Sequence, residues 1–253
     1  MMKNLLFPLF VFFSTLTFGC TNLIITKGAS TDGSTMMVYT NDGEWLYHLK
    51  MYPHESHEKG EVIPFRIPGT EEFLNLPQAS ETYKKLGFHM NEHQVAIGET
   101  TFTGREDLWN HKLPLKYWHL MSLALERSKT ARQAIEVITS LVEKYGYGSE
   151  GESFSIIDPN EAWILEMIGT GDGLAGAHWV AVKIPDGAIS AHANKARIGS
   201  FPLNDPDHCL YSENVISFAV ENGFYDPESG EEFAFNQAYN PLSPDRMRYC
   251  ESR

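Results

Sequence analysis

The chain is poor in cysteine, in basic residues and in long apolar runs, and each shortage excludes a class of protein. Three cysteines in 253 residues are too few for a disulfide-rich scaffold. Lysine and arginine number 20 against 33 acidic residues, and the resulting net charge of −13 argues against nucleic acid and anionic lipid surfaces as partners. The hydrophobic fraction of 42% suffices for one substantial core.

The apolar run that stands out lies at the N-terminus and has the organisation of a signal peptide. Lys3 supplies the positive charge, Leu5 to Phe13 form the apolar segment, and Thr17-Phe18-Gly19 has the small-x-small pattern of a cleavage site. Pro8 interrupts the run, which is shorter than the roughly 20 residues that a membrane-spanning helix needs. We expect residues 1–19 to be removed on export to the periplasm or the extracellular space, leaving one domain at 20–253.

Cleavage after residue 19 would make Cys20 the first residue of the mature chain. An N-terminal cysteine carries a thiol and a free α-amino group, which titrates near ~7.7–8.0 and can act as the base for that thiol. The alternative is a lipoprotein cysteine, acylated on sulfur, which would hold the domain to a membrane. Thr17 and the bulky Phe18 fit the usual lipidation pattern poorly. Both fates stay open, and a membrane is a partner only if Cys20 is lipidated.

The other two cysteines and the histidine pairs give weaker signals. A Cys209–Cys250 disulfide is one option for an exported protein, and two unpaired thiols are the other. The pairs His54/His57 and His89/His93 have metal-like spacing, but no Cys/His cluster or His-Glu-x-x-His motif accompanies them. We therefore expect no metal and no cofactor.

Short β-rich runs alternate with turn residues at both ends of the chain and enclose a helical middle. Trp118, Met121 and Leu125 form an apolar stripe after Pro114, whose ring suits a first helical turn. Thr130 is the expected cap of a second helix that Gly146 ends, and a third helix is expected at 215–221. Strands are expected at 22–26, 35–40, 90–97, 154–157, 162–167, 178–184 and 188–193.

The order of these elements predicts the fold class. Three hairpins are expected, around the turns at 28–33, 158–161 and 185–187, with loops and short strands at 42–85. Hairpins, then helices, then hairpins favour an α+β fold of antiparallel sheets covered by helices. Ser243 and Pro244 have the pattern of a helix start, and the chain ends soon afterwards, at Arg253. We therefore expect the domain to be C-terminally incomplete.

Several sequence blocks together resemble the cysteine dipeptidases of the N-terminal-nucleophile (Ntn) hydrolase superfamily, in the dipeptidase A and secernin group. The resemblance covers the chain from Cys20 onward and implies a four-layer αββα sandwich of two antiparallel sheets flanked by helices. The blocks are Cys20-Thr21-Asn22, Lys27 to Ser34, Met90 to Thr101, Glu150 to Phe154, Asp158 to Trp163 with Glu166, and His192 to Ile198.

The resemblance also implies roles for particular residues. Cys20 would be the nucleophile and Asn194 a donor to the tetrahedral oxyanion. Asp42 would hold the nucleophile's amino group, although it could equally be a surface turn residue. Tyr39 stands where many relatives carry an arginine, and we expect it to line the substrate site.

Two further residues complete the expected site. Thr101 falls where related amidases place a polar donor, but a β-branched residue in a strand needs no such role. Arg197 could hold a substrate carboxylate, or form a salt bridge instead. The function expected is an exported cysteine dipeptidase acting on small peptides. The alternatives are an acyl-amide hydrolase of the same superfamily, resembling bile-salt or penicillin amidases, and a non-catalytic lipoprotein. A homo-oligomer stays open.

Overall fold

The structure is a computed structural model that describes residues 19–42, 49–171 and 175–241. Helices α1 (Tyr117–Arg127), α2 (Ala131–Tyr145), α3 (Val215–Glu221) and α4 (Phe235–Tyr239) lie in this part of the chain. None of these helices is long and apolar enough to cross a membrane. The strands are β1 (Thr21–Ile25), β2 (Met36–Thr40), β3 (Met51–Tyr52), β4 (Glu55–Ser56), β5 (Val62–Arg66), β6 (Phe73–Pro77), β7 (Glu81–Thr82), β8 (Lys85–Leu86), β9 (Met90–Asn91), β10 (Ala96–Thr103), β11 (Gly151–Ile157), β12 (Ala162–Ile168), β13 (His178–Lys183), β14 (Ile189–Ala193) and β15 (Cys209–Tyr211).

Two antiparallel sheets stack on each other, which confirms the expected α+β sandwich. The large sheet has the order β15-β13-β12-β11-β10-β9-β8-β3, and the small sheet has the order β14-β1-β2. Strands β1 and β2 pack over β10, and a cluster around Ile24, Ala96 and Ile157 fills the space between the sheets. The resemblance implied a helical layer on each side, and α1 and α2 supply one of them.

Helices α1 and α2 cover the outer face of the large sheet. Their apolar stripes pack with Ile97, Phe154 and Ile156 into the main core. The Thr130 hydroxyl accepts from the Gln133 N–H, and Gly146 ends α2 with a φ of 78°, as the sequence predicts.

Two details of the helix prediction are wrong at the start of α1. The helix begins at Tyr117, so Pro114 lies before its first turn. Trp118, expected in the buried stripe with Met121 and Leu125, is exposed.

The hairpin prediction around Pro185-Asp186-Gly187 is also wrong. Strand β13 pairs with β12 and β15 in the large sheet, whereas β14 pairs with β1 in the small sheet. The turn therefore carries the chain from one sheet to the other. Asp186 fixes it there, because its Oδ1 accepts a 2.7 Å hydrogen bond from the Gly28 N–H in the β1–β2 loop.

The strand expected at 90–97 is divided by a turn. The Asn91 Oδ1 accepts from the N–H groups of His93 and Val95, and Gln94 has a φ of 63°. The strand resumes as β10, which runs from Ala96 to Thr103 and lies in the middle of the large sheet. The other predicted strands and the helix at 215–221 are confirmed, with shifts of a few residues at their ends.

The outer face of the small sheet is apolar and exposed in the described part of the chain. Val38 is 55% and Ile189 is 62% exposed, and Met36 lies on the same face. Most of the expected signal peptide, the helix expected after Ser243, and Cys250 lie outside the described residues. The pairing of Cys209 with Cys250 therefore stays a prediction.

Candidate active site

Cys20 lies immediately before β1, at one end of the small sheet. Strand β1 is the middle strand, and its first residue, Thr21, lies opposite Thr40 of β2 and Ala193 of β14. Strands β2 and β14 are both antiparallel to β1, so the segments that follow them begin beside Cys20. The topology thereby brings Asp42 and Asn194, which are far apart in sequence, to the same end of the sheet as the cysteine.

Gly19, the residue before Cys20, is held by Asp42. The Gly19 N–H donates a 2.8 Å hydrogen bond to the Asp42 Oδ2. Asn194 lies against the same residue, because a Cβ added to Gly19 would stand 3.2 Å from the Asn194 Oδ1. Two of the predicted site residues, Asp42 and Asn194, therefore lie against Gly19, the residue before Cys20.

Asn194 and Thr101 are joined by a contact between the two sheets. The Asn194 Nδ2 donates a 2.8 Å hydrogen bond to the Thr101 backbone carbonyl. This bond uses one of the two amide hydrogens of Asn194 and leaves the second for another acceptor. The Thr101 hydroxyl donates to the Glu152 Oε2 at 3.1 Å, so its single proton is directed to that carboxyl group.

The Tyr39 hydroxyl group both donates and accepts a hydrogen bond. The hydroxyl donates a 2.5 Å hydrogen bond to the Glu99 Oε1 and accepts from the Asn41 Nδ2 at 3.0 Å. Burial, and then the charge of Glu99, raise the pKa of the Tyr39 phenol far above its ordinary value. Tyr39 is therefore a neutral donor at neutral pH, which differs from the cation that the resemblance places at this position.

Arg197 lies on the segment after β14, which Glu166 anchors. The Glu166 carboxyl oxygens accept from the backbone N–H groups of Arg197 (2.6 Å) and Ile198 (3.0 Å) and from the Ser153 hydroxyl (3.2 Å). Burial raises the pKa of Glu166 to about 7, although these three bonds oppose the shift. The Arg197 side chain is exposed, and none of the ion pairs among the described residues includes it.

The surroundings of Cys20 hold its thiol in the neutral form while the chain before it is intact. Burial has the largest effect and raises the pKa of the thiol. A hydrogen bond from the Asp42 backbone N–H lowers that pKa, and the negative charges of Glu99 and Asp42 raise it. Activation of this thiol therefore requires a positive charge or a base close by.

A buried polar network connects the sheets next to the site. His192 in β14 contacts the Thr100 hydroxyl through Nδ1 at 3.0 Å and the Ser155 hydroxyl through Nε2 at 2.8 Å. The Asn22 side chain donates to the same Ser155 hydroxyl at 3.1 Å. Burial, followed by the charge of Arg197, lowers the pKa of His192 to about 4, so the imidazole is neutral at physiological pH.

Sequence reasoning gave no role to two carboxyl groups in this region, Glu99 and Glu152. Each lies within a block that carries the family resemblance, and Glu99 follows Ile97 on one face of β10. A charged residue at a core-facing position of a strand is a signal of function, because burial of an unpaired charge is costly. Within the described residues, no group of three or more His, Cys, Asp or Glu side chains is arranged to hold a metal ion.

A family model matches most of the chain and shows which protein family it belongs to. The model of peptidase family C69 matches residues 51–253. The chain belongs to peptidase family C69. Two relatives are each called a probable dipeptidase. The one from Salmonella dublin is 28% identical over 91% of this chain, and the one from Latilactobacillus sakei is 29% identical over 80% of it.

A third relative, called probable dipeptidase A, comes from Streptococcus pyogenes serotype M1 and is 28% identical over 79% of this C69 chain. The alignments cover 55%, 45% and 44% of the three relatives in turn. The C69 chain therefore spans about half the length of the curated relatives it matches.

Proposed function

We propose that this C69 chain acts as an exported cysteine dipeptidase, whose nucleophile is Cys20 after removal of residues 1–19. The observation that carries the proposal is the hydrogen bond from the Gly19 N–H to the Asp42 carboxylate, beside the Asn194 side chain. The residue that processing would separate from Cys20 thus contacts side chains that the processed site would use. The family and the dipeptidase names of its relatives support peptides as the substrate.

Processing changes the electrostatics at Cys20. Cleavage after Gly19 converts an amide nitrogen into an α-amino group on the cysteine itself. The ammonium form adds a positive charge close to the sulfur, which counters the burial and the carboxylates that raise the thiol pKa. The Asp42 carboxylate, released from the Gly19 N–H, is left to accept from the new ammonium group.

The chemical steps follow from these groups. The Cys20 thiol passes its proton to the α-amine, directly or through a water, and the sulfur attacks the peptide carbonyl carbon. The second amide hydrogen of Asn194 donates to the oxyanion that forms. The α-ammonium returns the proton to the leaving amine, and a thioester remains on Cys20. Water, activated by the same amine, hydrolyses the thioester and releases the second product.

The experiment compares the protein with its Cys20→Ser and Cys209→Ser variants on a panel of dipeptides, longer peptides and acyl amides. We expect Cys20→Ser to abolish dipeptide hydrolysis and Cys209→Ser, a matched change at a buried cysteine, to leave it intact. Iodoacetamide is expected to abolish activity and a chelator to leave it unchanged. Loss of activity with the chelator but not with iodoacetamide would contradict the mechanism, and cleavage of acyl amides alone would favour an amidase.

A further inference from the structure

The unassigned carboxyl groups of Glu99 and Glu152 lie together under the active-site end of the sheets. Glu99 is 1% and Glu152 is 0% exposed. One oxygen of each has a hydroxyl donor, Tyr39 for Glu99 at 2.5 Å and Thr101 for Glu152 at 3.1 Å. The other oxygens, Glu99 Oε2 and Glu152 Oε1, are fully buried without any further donor among the described groups. The two side chains lie on the same face of neighbouring strands, because Thr101 pairs with Glu152 and Glu99 lies two residues before Thr101 on β10.

No cation compensates this pair in the described part of the structure. None of the ion pairs found there includes Glu99 or Glu152. The titratable groups that face the pair are neutral or acidic. They are Cys20 before β1, Tyr39 on β2, Tyr117 on α1, and Tyr147 on the segment that precedes β11.

Two neighbouring buried charges of the same sign, without a counter-ion, are too costly to persist, and one carboxyl group takes up a proton instead. The short hydrogen bond from the Tyr39 phenol stabilises a charge on Glu99. Glu152 lies deeper, and burial together with the Glu99 charge raises its pKa well above the ordinary value.

We infer that Glu99 and Glu152 hold one proton between them, which resides on Glu152. The charge that remains on Glu99 acts on the Cys20 thiol and raises its pKa. This inference rests on the proposed function for the role of Cys20. It makes Glu99 a positioning residue that acts through the nucleophile. The proton on Glu152 limits the charge beside the sulfur to one, and a second charge would disfavour the thiolate further.

The test measures the rate at which iodoacetamide alkylates Cys20 across pH, followed by mass spectrometry of the Cys20 peptide. The proteins are the wild type, Glu99→Gln, Glu152→Gln and the exposed control Glu72→Gln. Glu99→Gln removes the charge that raises the thiol pKa, so we expect alkylation at pH 7 to be about threefold faster. Glu152→Gln imitates the protonated acid and is expected to stay within about twofold of the wild type.

Two results would overturn the inference. If Glu152→Gln accelerates alkylation as much as Glu99→Gln, both groups carry charge in the native protein. If Glu99→Gln leaves the rate unchanged, its charge does not act on Cys20. Failure of Glu152→Gln to fold would also contradict the inference, because glutamine is uncharged and can accept from Thr101 as the protonated acid does.

A second readout does not depend on Glu99→Gln. The infrared difference spectrum of wild type minus Glu152→Gln at pH 7 is expected to contain the carbonyl band of a protonated carboxylic acid. Contributions from other buried acids, such as Glu166, cancel in this difference. A spectrum with only carboxylate bands would refute the assignment.

Neither readout needs peptidase activity, so the two proposals can fail separately. Full dipeptidase activity in Cys20→Ser would remove the proposed function and leave the proton on Glu152 in place. An inactive Cys20→Ser, combined with equal effects of the two glutamine variants on alkylation, would keep the function and remove the inference.

Discussion

The side-chain amide of Asn194 donates a 2.8 Å hydrogen bond to the backbone carbonyl of Thr101. Asn194 follows β14 of the small sheet, and Thr101 lies on β10 of the large sheet, so this contact joins the two sheets at the end where Cys20 precedes β1. The bond fixes the orientation of the Asn194 amide and occupies one of its two hydrogens. The proposed mechanism uses the second hydrogen as the donor to the oxyanion.

Asn194→Ala is expected to lower kcat on a dipeptide by about 10²–10³, the usual effect of losing one oxyanion donor. The exposed turn residue Asn160 provides the matched control, and Asn160→Ala should leave kcat unchanged. Steady-state kinetics with a dipeptide measures kcat and KM for both variants. An Asn194→Ala enzyme with a wild-type kcat and a raised KM would show that Asn194 binds substrate and gives no special stabilisation to the transition state.

Asp42→Asn is expected to lower kcat/KM by about tenfold or more, because the amide no longer favours and orients the α-ammonium group of Cys20. The matched control is Asp32, an exposed residue of the β1–β2 loop whose Oδ1 accepts hydrogen bonds from the Ser34 N–H and hydroxyl. Measurement of kcat/KM across pH for Asp42→Asn and Asp32→Asn separates the two positions. Equal, small effects would show that Asp42 is a surface turn residue.

His192 is expected to make the protein less stable in acid. Its pKa is about 4 in the folded state and about 6.5 when unfolded, so the unfolded chain binds more protons between these values. The stability that neutral His192 contributes is present above pH 6.5 and is lost as the pH falls toward 4, by about 3 kcal/mol in total. Urea denaturation from pH 7 to pH 4 measures this loss.

A variant comparison assigns that pH dependence to His192. His192→Gln is expected to make the dependence about half as steep in this window, because burial lowers the pKa of His178 to about 4 as well. His208→Gln, at an exposed histidine paired with Asp205, should leave the dependence unchanged. If His192→Gln loses stability in acid as steeply as the wild type, the buried imidazole is not the group that titrates.

Gly98 allows β2 to pass close over β10. A Cβ at this position would lie 3.0 Å from the Asn22 Oδ1 and 3.1 Å from the Tyr39 Cβ. Gly98→Ala is therefore expected to destabilise the fold by about 1–3 kcal/mol, the usual cost of overpacking. Gly199→Ala is the control, since a Cβ there meets nothing within 4 Å. Denaturation midpoints of the two variants that coincide would mean that the sheets have room to separate at Gly98.

Much of the fold could be predicted because local signals mark its elements. Apolar periodicity and the caps at Thr130 and Gly146 located α2, and turn residues bounded most strands. The partner of each strand is a different matter. Pro185-Asp186-Gly187 has the composition of a hairpin turn, but the contact of Asp186 with Gly28 directs the chain into the other sheet. Such a contact depends on residues 158 positions apart, which no local pattern contains.

The candidate site shows the same division. Cys20 is recognisable because its chemistry depends on its place in the chain, next to a predicted cleavage site. The neighbours of the cysteine are set by strand register, which brings Asp42 and Asn194 to one end of the small sheet. Glu99 and Glu152 are neighbours because β10 pairs with β11. Tyr39 donates to Glu99 from β2, a strand of the other sheet. The sequence therefore indicates single candidate residues, and their contacts with each other follow only from the fold.

The most direct test of the account is mass spectrometry of the N-terminal peptide of the active protein, after partial inactivation with iodoacetamide. We predict a peptide that begins at Cys20 with a free α-amine, and a fraction of carbamidomethylated Cys20 equal to the fraction of dipeptidase activity lost. An active protein that retains Gly19 or carries a lipid on Cys20 would contradict this account. Inactivation that follows alkylation of Cys209 instead would contradict it as well.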